Sequence, residues 1–151
     1  MRNRTTMNII KSVLYGFIAL IQIGFITIVF IIDNLTRKKA GVMRHIYSRR
    51  LQYEQSIYSS SNLFKHSILG VILCILFIVL FIYSIKKKQN PFLRVQLILG
   101  LVMSLLVPIV INSNYFISMM SYPYFIMVFE LILLIQAIVV ASIYLTIVPK
   151  D

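Results

Sequence analysis

The chain alternates between long apolar runs and shorter polar or basic connections. Four runs, at residues 9–32, 67–85, 95–111 and 125–148, contain few polar side chains. Each has about the length, roughly 17 to 25 residues, that an α-helix needs to cross a hydrocarbon core. Unpaired backbone groups find no water in such a core, and the runs lack the alternating polarity of barrel strands, so the pattern predicts helices. We expect an all-α integral membrane protein, a bundle of four transmembrane helices.

The pattern predicts a single transmembrane domain over residues 1–151. The first run follows Arg2, Arg4 and Lys11, as a signal peptide would, but shows no small-x-small cleavage site. We therefore expect it to stay attached as the first span. The second and third runs are separated by a short turn that ends at Pro91, which predicts two antiparallel neighbours.

The first connection, the 34-residue segment 33–66, is basic and long enough to be partly helical. Within it, residues 42–58 place apolar side chains on about half of a helical wheel and basic ones on the other half. This pattern predicts a basic interfacial helix. Arg50 and Glu54 fall within the apolar arc, where their spacing of four residues allows them to pair.

Positive charge dominates the polar residues. Fifteen Lys and Arg against four Asp and Glu give a formal charge of +11. In a membrane protein such an excess indicates contact with the bilayer's anionic headgroups rather than with nucleic acid. The residues expected to contact headgroups are Arg37, Lys38, Lys39, Arg44, Arg49, Arg50, Lys86, Lys87 and Lys88.

The distribution of this charge predicts an orientation. A lysine triplet precedes the third run, whereas residues 112–124 after it carry no positive charge, so its start should be cytoplasmic. Both termini are then cytoplasmic, and the Ile- and Lys-rich, tryptophan-free composition is typical of a bacterial cell membrane protein from an AT-rich genome. The same orientation leaves residues 33–66 outside, and Lys and Arg favour it by only eight to seven. The side of that segment therefore stays open.

Four polar residues inside the predicted spans are candidates for function: Glu130, Gln22, Gln136 and Ser104. Glu130 is the only acidic one, and because a carboxylate is costly in lipid it is a functional hypothesis by default. Its alternative role is that of a packing residue bonded to Asn112, Asn114, a tyrosine or a headgroup, since no second charge accompanies it along the sequence. We expect the others to be structural, with Gln22 and Gln136 hydrogen-bonded to polar groups on other helices.

Small residues at four-residue spacing predict close helix packing. The residues expected on such packing faces are Gly16, Gly70, Gly100, Ala137 and Ala141. Pro108 should kink or end the third span. Cys74 is the single cysteine and lies in an apolar run, so it forms no intramolecular disulfide.

No residue pattern indicates catalysis or a bound cofactor. His45 and His66 are the only histidines, and neither has Cys, Asp or Glu at metal-ligand spacing. The serines lack a nucleophile-elbow pattern, and no glycine-rich phosphate loop occurs. We expect no catalytic, cofactor-binding or metal site and no enzymatic activity; a lipid-modifying enzyme has the least support.

Two function classes remain. The first is a non-enzymatic module that binds or regulates another membrane component through its helix faces and basic connection. The second is a small proton- or cation-coupled transporter that uses Glu130. A homo-oligomer would suit the transporter, because four spans are too few to enclose a large pathway in one copy.

Within the first class, the layout is similar to that of immunity proteins against pore-forming colicins. The shared features are a small cationic chain of four spans, cytoplasmic termini, a long first external connection and a basic second turn. The resemblance implies that the spans capture the membrane-inserted helices of a toxin and block channel opening. It also implies that small residues such as Gly100 and Ala137 contact the toxin.

Overall fold

The computed structural model describes residues 2–87 and 91–147; within them, the side chains of residues 2–12, 15, 91 and 145–147 are not described. The described chain consists of helices and short turns and contains no strand. Four helices are long and apolar enough to cross a membrane: Gly16–Lys38, Ser60–Lys86, Phe92–Asn112 and Tyr122–Tyr144. The all-helical class and the four long apolar elements are thereby confirmed.

Six helices follow one another along the chain. They are α1 (Arg2–Lys38), α2 (Ala40–Gln55), α3 (Ser60–Lys86), α4 (Pro91–Asn112), α5 (Asn114–Ile117) and α6 (Tyr122–Ile147). The predicted apolar runs fall within α1, α3, α4 and α6, apart from residue 148, which lies outside the described residues.

The segment between the first two long helices, residues 33–66, is more helical than predicted. α1 and α3 both extend into it, and α2 occupies Ala40–Gln55 between them. Lys39 and residues 56–59 alone lie outside a helix. The expectation of a loop with one helix in it is therefore wrong in extent. Hydropathy marks where a helix leaves apolar surroundings, whereas the helix itself ends where its backbone hydrogen bonds end.

The predicted end of the third span at Pro108 is wrong, because the helix that forms this span, α4, runs through Pro108 to Asn112. The predicted alternative, a kink at Pro108, stays a prediction. Proline has no backbone N–H, so the Ser104 carbonyl loses its usual helical hydrogen bond. The last turn gains a side-chain bond instead: Asn112 Nδ2 donates to the Pro108 carbonyl (2.8 Å) and also to Ser67 Oγ in α3 (3.2 Å). The helix therefore does not end at the proline.

The long helices lie in the order α3, α4, α6, α1. α4 packs against both α3 and α6, and α1 packs against α6. α2 contacts α1 and α6, while α5 contacts α4 and α6. Both short helices therefore lie at the end where α1 and α4 finish and where α3 and α6 begin. We call this the capped end.

Two glycines set the close approach of α3 and α4. A Cβ built on Gly70 would lie 3.0 Å from Pro108 Cδ, and one built on Gly100 would lie 2.7 Å from Cε1 of Phe77. Phe77 is itself buried. The predicted packing role is confirmed at both glycines, and the two contacts run in opposite directions along the helices, so α3 and α4 are antiparallel.

Within the described part of this chain, Gly16 and Ala141 do not pack against another helix, so their predicted packing role stays a prediction. Both residues are exposed, and no atom lies within 4 Å of a Cβ built on Gly16. Small residues bring helices together only where a second backbone faces them. On α1 the buried side chains include Gln22, Val29 and Thr36 at seven-residue spacing, and Gln22 bonds to Gln136 of α6.

We predict opposite effects of Gly→Ala at Gly100 and at Gly24. At Gly100 the new methyl group has to displace the buried Phe77 ring, which should lower the free energy of unfolding by about 1 to 3 kcal/mol. At Gly24 nothing lies within 4 Å, so the higher helix propensity of alanine should leave stability unchanged or raise it by up to about 1 kcal/mol. Unfolding in detergent micelles, followed by circular dichroism, measures both. Equal effects at the two sites would contradict the close α3–α4 contact.

Candidate functional site

The four long helices lie side by side in the order α3, α4, α6, α1, which we call the helix row. Hydrogen-bonded amides join three of them, α1, α6 and α4. Gln22 Nε2 in α1 donates to Gln136 Oε1 in α6 (3.2 Å), and Gln136 Nε2 donates to the Oε1 and backbone carbonyl of Gln96 in α4 (both 2.7 Å). All three side chains are buried. The prediction that Gln22 and Gln136 bond to polar groups on other helices is confirmed. Gln96 was missed because it lies near the start of its run, beside basic residues.

Two further buried serines make no such contact between helices. Ser104 is fully buried, but its Oγ donates to the Leu101 carbonyl of its own helix (2.8 Å). Ser84 Oγ is buried and has no partner among the described residues. The structure therefore gives Ser104 a local role, whereas the three amides join their helices.

At the capped end, Arg50 joins α2 to the turn before α6. Its Nε donates to Glu54 Oε1 (2.6 Å), while Nη1 and Nη2 donate to the carbonyls of Met119 (2.8 Å) and Ile117 (3.3 Å). The predicted pairing with Glu54 is confirmed. The predicted headgroup contact of Arg50 stays a prediction, and its guanidinium is half-buried and bonded to protein groups. The sequence could not reveal carbonyl partners about 70 residues away.

Asp33 joins the end of α1 to the same turn. One carboxylate oxygen accepts a hydrogen bond from Ser121 Oγ, and the other lies 3.0 Å from Nη2 of the exposed Arg37. Arg37 remains available to solvent on its outer side. Apart from Arg50, the other described basic residues of the predicted headgroup set are also exposed, and Lys88 lies outside the described residues.

Glu130 lies near the capped end of α6, where it bonds to His66 of α3 and to Tyr58 of the turn before α3. His66 Nδ1 in α3 is 2.6 Å from Glu130 Oε1, and the hydroxyl of Tyr58 donates to Glu130 Oε2 (3.3 Å). The Tyr58 and His66 rings are also in contact, with centroids 5.6 Å apart. The Glu130 side chain is about one quarter exposed, so the cluster of Glu130, His66 and Tyr58 lies at the protein surface and not in the buried core.

This cluster corrects the expectation that Glu130 has no ionisable companion. His66 lies in the second turn of α3, because that helix begins at Ser60 rather than near residue 67. His66, which the sequence pattern placed in the first connection, therefore lies on α3 and faces α6. The sequence signal that could have revealed it is the apolar spacing of Leu69 and Leu73, which continues the face occupied by His66.

The hydroxyl of Tyr58 acts as a hydrogen-bond donor in this cluster. Burial raises the pKa of Tyr58 above its ordinary value, and the charge and hydrogen bond of Glu130 raise this pKa further. The hydroxyl thus stays protonated at neutral pH and donates its proton to the carboxylate.

A cleft of about 340 Å³ begins at Glu130 and His66 and continues between α3 and α6. Its walls are apolar, and its floor is Val107 of α4. The residues around it are His66, Leu69, Gly70, Leu73, Val107, Glu130, Leu133, Leu134 and Ala137. We call this space the α3–α6 cleft. It is an apolar slot with one ionisable end.

Among the described residues, no group of three or more His, Cys, Asp or Glu side chains is arranged to hold a metal ion. Comparisons with known proteins gave no match to a protein-family model, to a curated protein or to a solved structure. The assignment of function therefore rests on the geometry of the cluster and the cleft.

We predict that Gln136→Leu destabilises the fold more than Gln22→Leu. Loss of Gln136 removes every bond in the amide chain and leaves a buried donor on Gln22, an expected loss of about 1 to 3 kcal/mol. Loss of Gln22 removes one bond, an expected loss of about 0.5 to 1.5 kcal/mol. Unfolding by sodium dodecyl sulfate in mixed micelles ranks the two variants. If Gln136→Leu proved as stable as the parent, the amide chain would not join these helices.

Proposed function

We propose that the chain is an integral membrane protein, with the capped end outside a bacterial cytoplasmic membrane and both termini inside. Four long apolar helices support the membrane placement, and so do their outer faces, where large side chains such as Leu20, Val79 and Leu134 are exposed. Lys86 and Lys87 at the opposite end of α3 support the orientation.

We propose that the protein is a non-enzymatic module that binds another component of the bilayer in the α3–α6 cleft. The observation that carries this proposal is the pairing of apolar cleft walls with an ionisable cluster at one end. Apolar walls gain little from a ligand that leaves equally apolar lipid. Selectivity therefore falls to Glu130 and His66, the polar groups that meet the end of a bound molecule.

The resemblance to colicin immunity proteins describes one form that such binding would take. One of its implications changes, because Gly100 is covered by Phe77 and is not accessible to a partner. Ala137, in contrast, lines the cleft. A toxin segment recognised by this protein would thus contact α3 and α6 rather than the α3–α4 contact.

The transporter hypothesis gains one observation, since His66 gives Glu130 a second titratable group. Transport also needs a route onward from that pair. Beyond it, the cleft is walled by Leu73 and Leu133, and the amide of Gln136 bonds to α1 and α4 instead. The described residues form no continuous polar path along the helix axes from the capped end to the opposite end. Binding is therefore the function that this geometry favours.

A photoreactive benzoylphenylalanine at Leu69 tests the proposal in native membranes. Leu69 lines the cleft and is exposed, whereas Val71 is exposed nearly opposite on α3 and provides the matched control. We expect a discrete adduct, of lipid or of protein, at Leu69 but not at Val71. Ala137→Trp, which fills the cleft, should abolish it. Equal adducts at both positions, or an adduct that survives Ala137→Trp, would contradict binding in the cleft.

A further inference from the structure

The α3–α6 cleft is closed at both ends by contacts between the helices that border it. At the capped end, His66 Nδ1 lies 2.6 Å from Glu130 Oε1. Further along, two turns beyond the cleft lining on each helix, the hydroxyl of Tyr144 donates to the Leu80 carbonyl (3.4 Å). Between these two contacts the cleft is open to the outside between α3 and α6, and Val107 of α4 closes its inner side.

A molecule narrower than a helix fits into this cleft as a whole, whereas a helix would contact the cleft only through inserted side chains. A helix is about 10 to 12 Å across, so a single 5.4 Å turn displaces roughly 400 to 600 Å³. The entire cleft holds about 340 Å³. A single aliphatic chain is narrow enough to lie between α3 and α6, with its length along the leucine walls.

The polar end of the cleft offers mainly hydrogen-bond acceptors. Each oxygen of the Glu130 carboxylate accepts one bond within the cluster and keeps a further acceptor position. His66 donates from Nδ1, so in its neutral form Nε2 is an acceptor as well. A primary ammonium group, with its three N–H donors and its positive charge, complements this arrangement.

A cation next to the cluster suits the phosphate of a zwitterionic headgroup. Lys65 is exposed and directly precedes His66 on α3. A headgroup whose ammonium lies at Glu130 would extend its phosphate toward Lys65, whose Nζ also donates to Asn62 Oδ1 (3.4 Å). Free amines lack the second contact, and anionic lipids lack the first.

We propose that the α3–α6 cleft binds an aminophospholipid, with one acyl chain between the helices and its primary ammonium at Glu130. This inference rests on the proposed function and specifies its ligand class. The acyl chain makes contacts similar to those in the bilayer, so the ammonium decides which lipid is retained.

Photolabelling of the full chain in vesicles tests the inference. The vesicles contain phosphatidylcholine with a small, equal fraction of phosphatidylethanolamine or phosphatidylcholine that carries a diazirine midway along one acyl chain. The two probes differ in the N–H donors of the headgroup. The ethanolamine ammonium has three, whereas the trimethylated ammonium of choline has none and keeps the positive charge. We expect about three- to tenfold more labelling of the cleft peptides of α3 and α6 by the ethanolamine probe.

Three variants identify the residues responsible. Glu130→Gln should reduce the preference for the ethanolamine probe to about onefold, because the neutral amide gives up the charge. Ala137→Trp should abolish cleft labelling by both probes, and Val71→Trp, on the far face of α3, should leave labelling unchanged. Leu69→Trp at the cleft rim repeats the block if Ala137→Trp does not fold, as judged by circular dichroism.

Equal labelling by the two probes, or a preference that survives Glu130→Gln, would overturn the inference. Failure of the inference is distinguishable from failure of the proposed function. If the benzoylphenylalanine at Leu69 still captures a discrete partner that Ala137→Trp removes, the cleft binds something other than an aminophospholipid. If both experiments give no cleft-specific product, the proposed function fails as well.

Discussion

Amide and carboxylate side chains on apolar helices need hydrogen-bond partners, and their pairing between neighbouring helices determines how the four long helices of this protein are joined. Where water is scarce, an unpaired amide or carboxylate raises the free energy of the folded state. The amides of Gln22, Gln136 and Gln96 meet this requirement in the middle of the row. His66 and Glu130 meet it at the capped end. The first set links α1, α6 and α4, and the second links α3 to α6 across α4.

The same contacts explain why a cleft exists. α4 packs against both α3 and α6, and Gly70 and Gly100 bring α3 close to it. Long side chains join α3 to α6 near the two ends of their facing surfaces, where His66 meets Glu130 and Tyr144 bonds to the Leu80 carbonyl. The small side chain of Ala137 leaves the middle unfilled. The cleft is therefore a consequence of how the polar ends are paired and of which residues between them are small.

Much of this architecture is predictable from the sequence, because it depends on local pattern. Run length gave the four long helices, amphipathic spacing gave most of α2, and a spacing of four residues gave the Arg50–Glu54 pair. The partners of Gln22 and Gln136 were predictable in kind but not in identity. The spacing of Leu69 and Leu73 could have placed His66 on the inner face of α3, but its pairing with Glu130 was not predictable, because nothing local relates residues 64 positions apart. Gly16 and Ala141 are exposed, so a four-residue spacing of small residues does not distinguish a packed helix face from an exposed one.

A double-mutant cycle on His66 and Glu130 tests the central claim most directly, namely that this pair joins α3 to α6 and forms the polar end of the cleft. Each residue is replaced by leucine, singly and together, and the free energy of unfolding is measured in mixed micelles. The account predicts a coupling energy of about 0.6 to 1.7 kcal/mol, the range for hydrogen bonds between membrane helices. A coupling energy indistinguishable from zero would contradict it.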